Sequence, residues 1–175
     1  MRFLVSLLIC SLSFVGLSTR AQSNANRMNA EVLGVYFTPP DHAAAAIVKV
    51  IDASEAEVLV QAYGFTHNAI AQALVRAHAR GVKVRVLLDQ KSQVTNRYVI
   101  GVLQDADIAV RQDGKHAIAH NKVMVIDHDV VITGSFNFTN AAATRNAENF
   151  LILKSPDLAL QYRLQWQSHW AHGVD

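Results

Sequence analysis

A histidine, a lysine, an aspartate, a glycine–serine pair and an asparagine stand at fixed intervals in the segment His120–Asn137, HNKVMVIDHDVVITGSFN. His120 is followed after one residue by Lys122, after four more by Asp127, after six more by Gly134-Ser135, and after one more by Asn137. At average amino-acid usage, these six residues at these offsets would arise by chance in a chain of this size on the order of a few times per million. Imidazole can attack phosphorus or carry a proton near neutral pH, because its unperturbed pKa is about 6.5. An ammonium and a carboxamide can hold oxygens that gain charge in a transition state, and a hydroxyl adds a further hydrogen bond. The set suits an anionic substrate with several oxygens, and a phosphate ester most naturally. A lone His or Lys on a strand is more often a solvent-facing residue. The Gly-Ser-x-Asn element at its offset outweighs that reading.

The elements that must position these groups read as a hairpin. Asn121–Ile126 is rich in valine and isoleucine and forms a strand, Asp127-His128-Asp129 is the turn, and Val130–Thr133 is the returning strand. Alternation places His120, Lys122, Met124 and Ile126 on one face and Asn121, Val123 and Val125 on the other. His120 and Lys122 then project side by side, about 7 Å apart along the strand. Gly134 permits a tight backbone where Ser135 and Asn137 leave the second strand. Asp127 faces away from His120 and Lys122 by the same alternation, so a structural role suits it at least as well as a direct one.

The segment resembles the signature of the phospholipase D superfamily, His-x-Lys-x4-Asp-x6-Gly-Ser-x-Asn, with His120, Lys122, Asp127, Gly134, Ser135 and Asn137 in the matching positions. Gln61–Thr66 (QAYGFT), Ala73–Asp89 (ALVRAHARGVKVRVLLD) and Gly134–Asn149 are similar to the small single-motif bacterial nucleases of that superfamily. The resemblance implies a metal-independent reaction with no cofactor. In it His120 is the nucleophile forming a phosphohistidine in one subunit and the general acid in another. Lys122, Ser135 and Asn137 would bind the phosphate oxygens, and Glu148 matches the acidic residue that holds the histidine ring. Asp127 completes the catalytic signature. Only one copy of the motif is present, so the resemblance implies a homodimer with one half-site per subunit, the two copies meeting across an isologous interface.

The rest of the chain supports an α/β domain. Its 175 residues, 51% hydrophobic and 17% charged, fit one domain with a proper core, without repeats or low-complexity tracts. The pattern predicts strands at Glu31–Phe37, Val58–Tyr63, Val82–Leu88, Ile108–Val110 and Glu148–Leu153. Helices are expected from near His42 to Ser54, around Ile70–Ala77 with Gly81 just past its end, over about Arg97–Asp105, and from Ser155-Pro156 onward. Gln90–Thr95 reads as a polar loop, and so does the stretch up to Asn146. The strand–helix–strand order implies a mixed, largely parallel sheet flanked by helices on both faces. Leu158, Tyr162, Trp166 and Trp170 lie one helical turn apart, a stripe that reads as packing rather than a base-stacking platform.

The N-terminus has the layout of a secretory leader over residues 1–21, with Arg2 before the uncharged run Phe3–Leu17 and cleavage points after Ala21 or Ala25. Residues 22–30 form a polar lead-in and 31–175 the single nuclease-like domain. This predicts export, most simply to a periplasm, with no stable membrane association once the leader is gone. The alternative is an uncleaved anchor, although a spanning helix needs about 20 apolar residues. Cys10, the only cysteine, lies in the leader, so the mature chain has neither disulfide nor cysteine-ligated zinc. Losing the leader takes Arg2 and Arg20 and no acid, lowering Lys+Arg from 16 to 14, level with Asp+Glu at 14. Net charge therefore cannot carry an argument for nucleic-acid binding. A local groove must, built from Lys122, Lys115, Arg111, Arg145 and Lys91.

His116 and His120 with His128 and Asp129 raise the question of a metal. Four-residue spacing aligns ligands on a helix, however, and this segment reads as extended, so no metal site is expected. His42, His67, His78, His169 and His172 read as surface or helix-end residues. The expectation is a phosphodiesterase cleaving DNA, or RNA, without sequence preference, since the groups identified grip phosphate and none is placed to read bases. A lipid phosphodiesterase is the rival of the same chemistry, with little length left over for an acyl pocket. A non-catalytic nucleic-acid-binding module is the rival of another class.

Overall fold

The computed structural model describes residues 28–175. The leader expected at 1–21 and most of the polar lead-in lie outside the described residues. Seven strands form one sheet in the order β1-β7-β6-β5-β2-β3-β4. They are β1 Glu31–Thr38, β2 Glu57–Ala62, β3 Lys83–Asp89, β4 Ala109–Asp113, β5 Lys122–Ile126, β6 Val130–Gly134 and β7 Glu148–Lys154. The helices are α1 Ala43–Asp52, α2 Asn68–Ala79, α3 Gln93–Gln104, α4 Asn140–Thr144 and α5 Pro156–Trp170. The mixed α/β sheet is as expected, but its balance is not. Only β2–β3 and β3–β4 pair in parallel, while β1–β7, β7–β6, β6–β5 and β5–β2 are antiparallel. Helices α2 and α3 make the crossovers between the neighbouring parallel strands, α1 carries the chain from β1 at the far edge to β2, and β5–β6 is a tight hairpin.

Two apolar layers sandwich the sheet. One face of β2 and β5 sends Val58, Val60, Met124 and Ile126 into a large cluster with Ile47 and Ile51 of α1, Ile70 and Leu74 of α2, and Val99 and Leu103 of α3. The opposite face sends Leu59, Val123 and Val125 against α5. There Trp166 is 1% exposed and its indole N–H donates to the Val60 carbonyl at 2.9 Å. Trp170 stacks on Trp166 with ring centroids 4.8 Å apart. The aromatic stripe is core packing.

Polar residues shape three places where apolar periodicity misleads. Gln90–Thr95 is not a loop but a 3₁₀ turn, Gln90–Ser92, running into α3. Asp89 starts it by accepting from Ser92 N at 3.0 Å. Asn96 is fully buried, accepting from Phe65 N at 2.8 Å and donating to the Tyr63 carbonyl at 2.9 Å. Its polarity looks like loop and acts as a backbone clamp. Within the stretch expected as loop up to Asn146, Thr139 caps α4 by accepting from Ala142 N at 3.1 Å. Gly81, with φ of +92°, follows α2 as anticipated.

Candidate active site

One edge of the sheet gathers the chemistry. The C-terminal ends of β2, β3, β4 and β6 lie there together with the N-terminal ends of β5 and β7, because β5 and β7 run antiparallel to their neighbours. Ala62 of β2 pairs with Lys122 of β5, and Gly134 of β6 pairs with Phe150 of β7. His120, Lys122, Ser135, Asn137 and Glu148 all belong to this edge. The layout follows the general rule that ligands of α/β sheets bind beyond the carboxyl ends of the parallel strands.

His120 precedes β5 instead of lying within it, and its side chain is exposed. Its position comes from neighbours that the motif does not contain. Asp89, 1% exposed, accepts from Ala119 N at 2.8 Å with one carboxylate oxygen. Its other oxygen accepts from Ser92 N and Oγ. The Asn121 carbonyl accepts from Tyr63 N at 2.9 Å. The Tyr63 ring lies against the imidazole with centroids 4.8 Å apart and planes tilted by 57°. Asp89 and Tyr63 are positioning residues that the sequence analysis missed, and the strand-terminal place of both was the available signal.

Lys122 is not the free ammonium that strand alternation implies. It is 8% exposed and donates to the carbonyl of His120 at 2.9 Å, with Nζ 5.5 Å from the centre of the Tyr63 ring. Burial holds its pKa below the ordinary lysine value of 10.5, while the negative charge of Glu148 pulls it partly back. The charge thus sits at the base of the site, close to Glu148.

Ser135 and Glu148 form a pair. Ser135 Oγ donates to one oxygen of Glu148 at 2.6 Å and accepts from Asn149 N at 3.1 Å, while the other Glu148 oxygen accepts from Asn146 Nδ2 at 3.1 Å. Glu148 was expected to hold the histidine ring. Within the chain its hydrogen bonds go to Ser135 and Asn146 instead, and it acts on the site through them and through Lys122. Gly134 is required by packing, since a Cβ there would come within 2.6 Å of Phe150 Cα. Asn137 has a buried Oδ1 without a hydrogen-bond partner. The Asn137 carboxamide therefore has an acceptor that no other group of the chain occupies.

Asp127 does not join them. Five residue rises, about 17 Å, separate it from Lys122, and it lies at the opposite end of β5. There its carboxylate accepts from the backbone N–H groups of Glu55, Ala56 and Glu57 at 2.9, 2.7 and 3.0 Å. Its place among the catalytic residues is corrected: it staples the start of β2 to the turn after β5. Arg111 also leaves the expected basic groove. It pairs with Asp175 at 3.1 Å, donates to the Trp170 carbonyl and lies over the Trp170 ring. Lys91, Lys115 and Arg145 remain exposed. His169 and His172 lie at the end of α5 and just past it, within the helix-end reading, but their side chains are only 12% and 21% exposed beside the buried Asp113.

The model of the cardiolipin synthase, phospholipase D-like domain matches residues 47–170. The chain belongs to the phospholipase D superfamily. It is 43% identical over 143 residues to a phospholipase D of Rickettsia conorii, a match covering 82% of this chain and 72% of that one. The fold is similar to that of Nuc, a phospholipase D family member from Salmonella typhimurium, with a TM-score of 0.80 and 33% identity over 84% of this chain and 98% of the other. It is also similar to NucT from Helicobacter pylori, with a TM-score of 0.76 and 25% identity over 83% and 99% of the two chains. As a member of the superfamily, the chain is a phosphodiesterase, a hydrolase acting on phosphate esters.

Proposed function

We propose that this phosphodiesterase cleaves nucleic acid, DNA first, without sequence preference and without a metal in the reaction, in a site completed by a second copy of the chain. The observation that carries the reading is the half-built site itself. His120 is exposed at an open edge, with one Lys122, one Ser135 and one Asn137 around it and no second copy of the motif in the chain. An open edge rimmed by Lys91, Lys115 and Arg145 suits a long polyanion. In the proposed reaction Nε2 of one His120 adds to phosphorus as the bond to the leaving oxygen breaks. The protonated His120 of the partner subunit gives that oxygen its proton. Water then adds to phosphorus, passing a proton to the same imidazole, and the N–P bond breaks. Lys122 and Asn137 hold the non-bridging oxygens throughout. We place the enzyme outside the inner membrane, consistent with the leader-like N-terminus. No helix among the described residues is long and apolar enough to cross a membrane.

A lipid phosphodiester is the second reading, and one feature favours it. A cavity of about 650 Å³ is lined by Pro39, Ala43, Val48, Ala69 and Ala143, among others, and its wall includes α4, the helix that follows Asn137. The chain length leaves little for a separate acyl pocket, and this cavity is the feature that would serve as one. Plasmid nicking in excess EDTA, with His120→Asn alongside and phospholipid vesicles as the competing substrate, separates the readings. Nicking by wild type alone supports the nuclease. Loss of nicking in EDTA by protein that stays folded, a loss that His116→Gln assayed without EDTA reproduces only in part, overturns the metal-free reaction. Release of headgroup from vesicles with no nicking moves the lipid reading to the front.

A further inference from the structure

Beside the loop that carries His120, side chains unused by the proposed reaction converge on one carboxylate. Asp113, at the end of β4, is 1% exposed. His116 Nδ1 lies 2.8 Å from its Oδ2 and His172 Nε2 lies 3.3 Å from its Oδ1. One ligand atom from each of Asp113, His116 and His172 falls within 4.8 Å of the others. Tetrahedral zinc with bonds of about 2.0–2.1 Å sets its ligand atoms roughly 3.3 Å apart, so small ring rotations would close the set. His172 Nε2 is buried and has no hydrogen-bond partner, although it points at the carboxylate. His169, whose ring stands 4.6 Å from that of His116, is different. Gln61 and Gln165 occupy its two ring nitrogens at 2.6 and 2.7 Å, so it forms a wall and not a ligand.

We propose that Asp113, His116 and His172 bind a zinc ion that straps the C-terminal end of the chain to the loop bearing His120. Two imidazole nitrogens and one carboxylate oxygen suit zinc, whereas magnesium and calcium prefer all-oxygen sets. The fourth position is open to water. The strap fits the backbone around it. Val174 and Gln112 exchange hydrogen bonds at 2.7 and 3.0 Å, already laying the C-terminus along β4. His116 is four residues from His120, so the ion would fix the loop from the side opposite in sequence to Lys122. The zinc takes no part in bond cleavage, and the inference does not depend on which phosphodiester is cut.

The test is zinc content and melting temperature of the purified full chain, which are independent of any cleavage assay. After dialysis against micromolar zinc, wild type should retain a single zinc ion per chain, and its Tm should rise with zinc concentration. His116→Gln and His172→Gln should each weaken binding roughly 100-fold or more, given that even residues behind a metal's ligands matter 10–100-fold. His42→Gln, an exposed histidine elsewhere, should bind as wild type does. Failure of wild type to retain zinc overturns the site. So does affinity in both His116→Gln and His172→Gln within about threefold of wild type, because the ion is then held by other groups.

Discussion

The ammonium of Lys122 donates to the backbone carbonyl of His120 across 2.9 Å, so the cation of the site is fastened to the residue proposed as its nucleophile. Because burial lowers the Lys122 pKa, its charge is lost as pH rises through a value below 10.5. The alkaline limb of kcat/KM should therefore fall earlier than an ordinary lysine would dictate. Lys122→Arg, which stays charged, should remove that limb even where it lowers the maximum. An alkaline limb at the same pH in Lys122→Arg would assign the limb to another group.

His120→Asn should cost roughly 1,000-fold or more in kcat, in line with the loss of a covalent nucleophile. The side chain is exposed and its neighbour is a ring face, so stability should change by no more than about 0.5 kcal/mol. Urea unfolding beside single-turnover cleavage checks both halves.

Asp127→Ala should give the opposite result. Three backbone N–H groups lose a shared carboxylate, and unfolding free energy should drop by about 1–3 kcal/mol. Cleavage per folded molecule at low temperature should stay near wild type. A large loss of kcat in a fully folded Asp127→Ala would return this residue to the reaction.

His67 ties stability to pH. Burial lowers its pKa from 6.5, and its Nδ1 has no hydrogen-bond partner. The folded state favours the neutral ring, so the unfolded chain binds the extra proton first. Its contribution is fully present above 6.5 and is lost as pH falls through the lowered value. Melting temperatures measured from pH 8 to pH 5 should fall less in His67→Gln than in wild type.

Much of this arrangement was legible because strong periodicity and strong chemistry coincide. The valines and isoleucines around Lys122 declare a strand, and the histidine-to-asparagine spacing declares a phosphate site. What was not legible depends on pairing across long stretches of chain. Alternation ranks side chains by face, so it presented Lys122 as a projecting cation. It could not show that the β2 and β6 neighbours bury it. Asp127 looks catalytic while its position is known only along the strand. It becomes a staple once the start of β2 is seen beside it. Asn96 and Asp89 are polar residues with buried duties, which hydrophobic patterning cannot detect. His116, His169 and His172 meet at Asp113 only because α5 returns across the sheet and the C-terminus lies beside β4.

The two oxygens of Asp89 are shared between the start of α3 and the amide just before His120. A transplant of His120–Asn137 into another sheet would thus move the signature side chains and leave behind the peg that holds the backbone beside His120. The heritable unit of this chemistry is a whole sheet margin, and a designer who copied only the signature would inherit an inventory without an address.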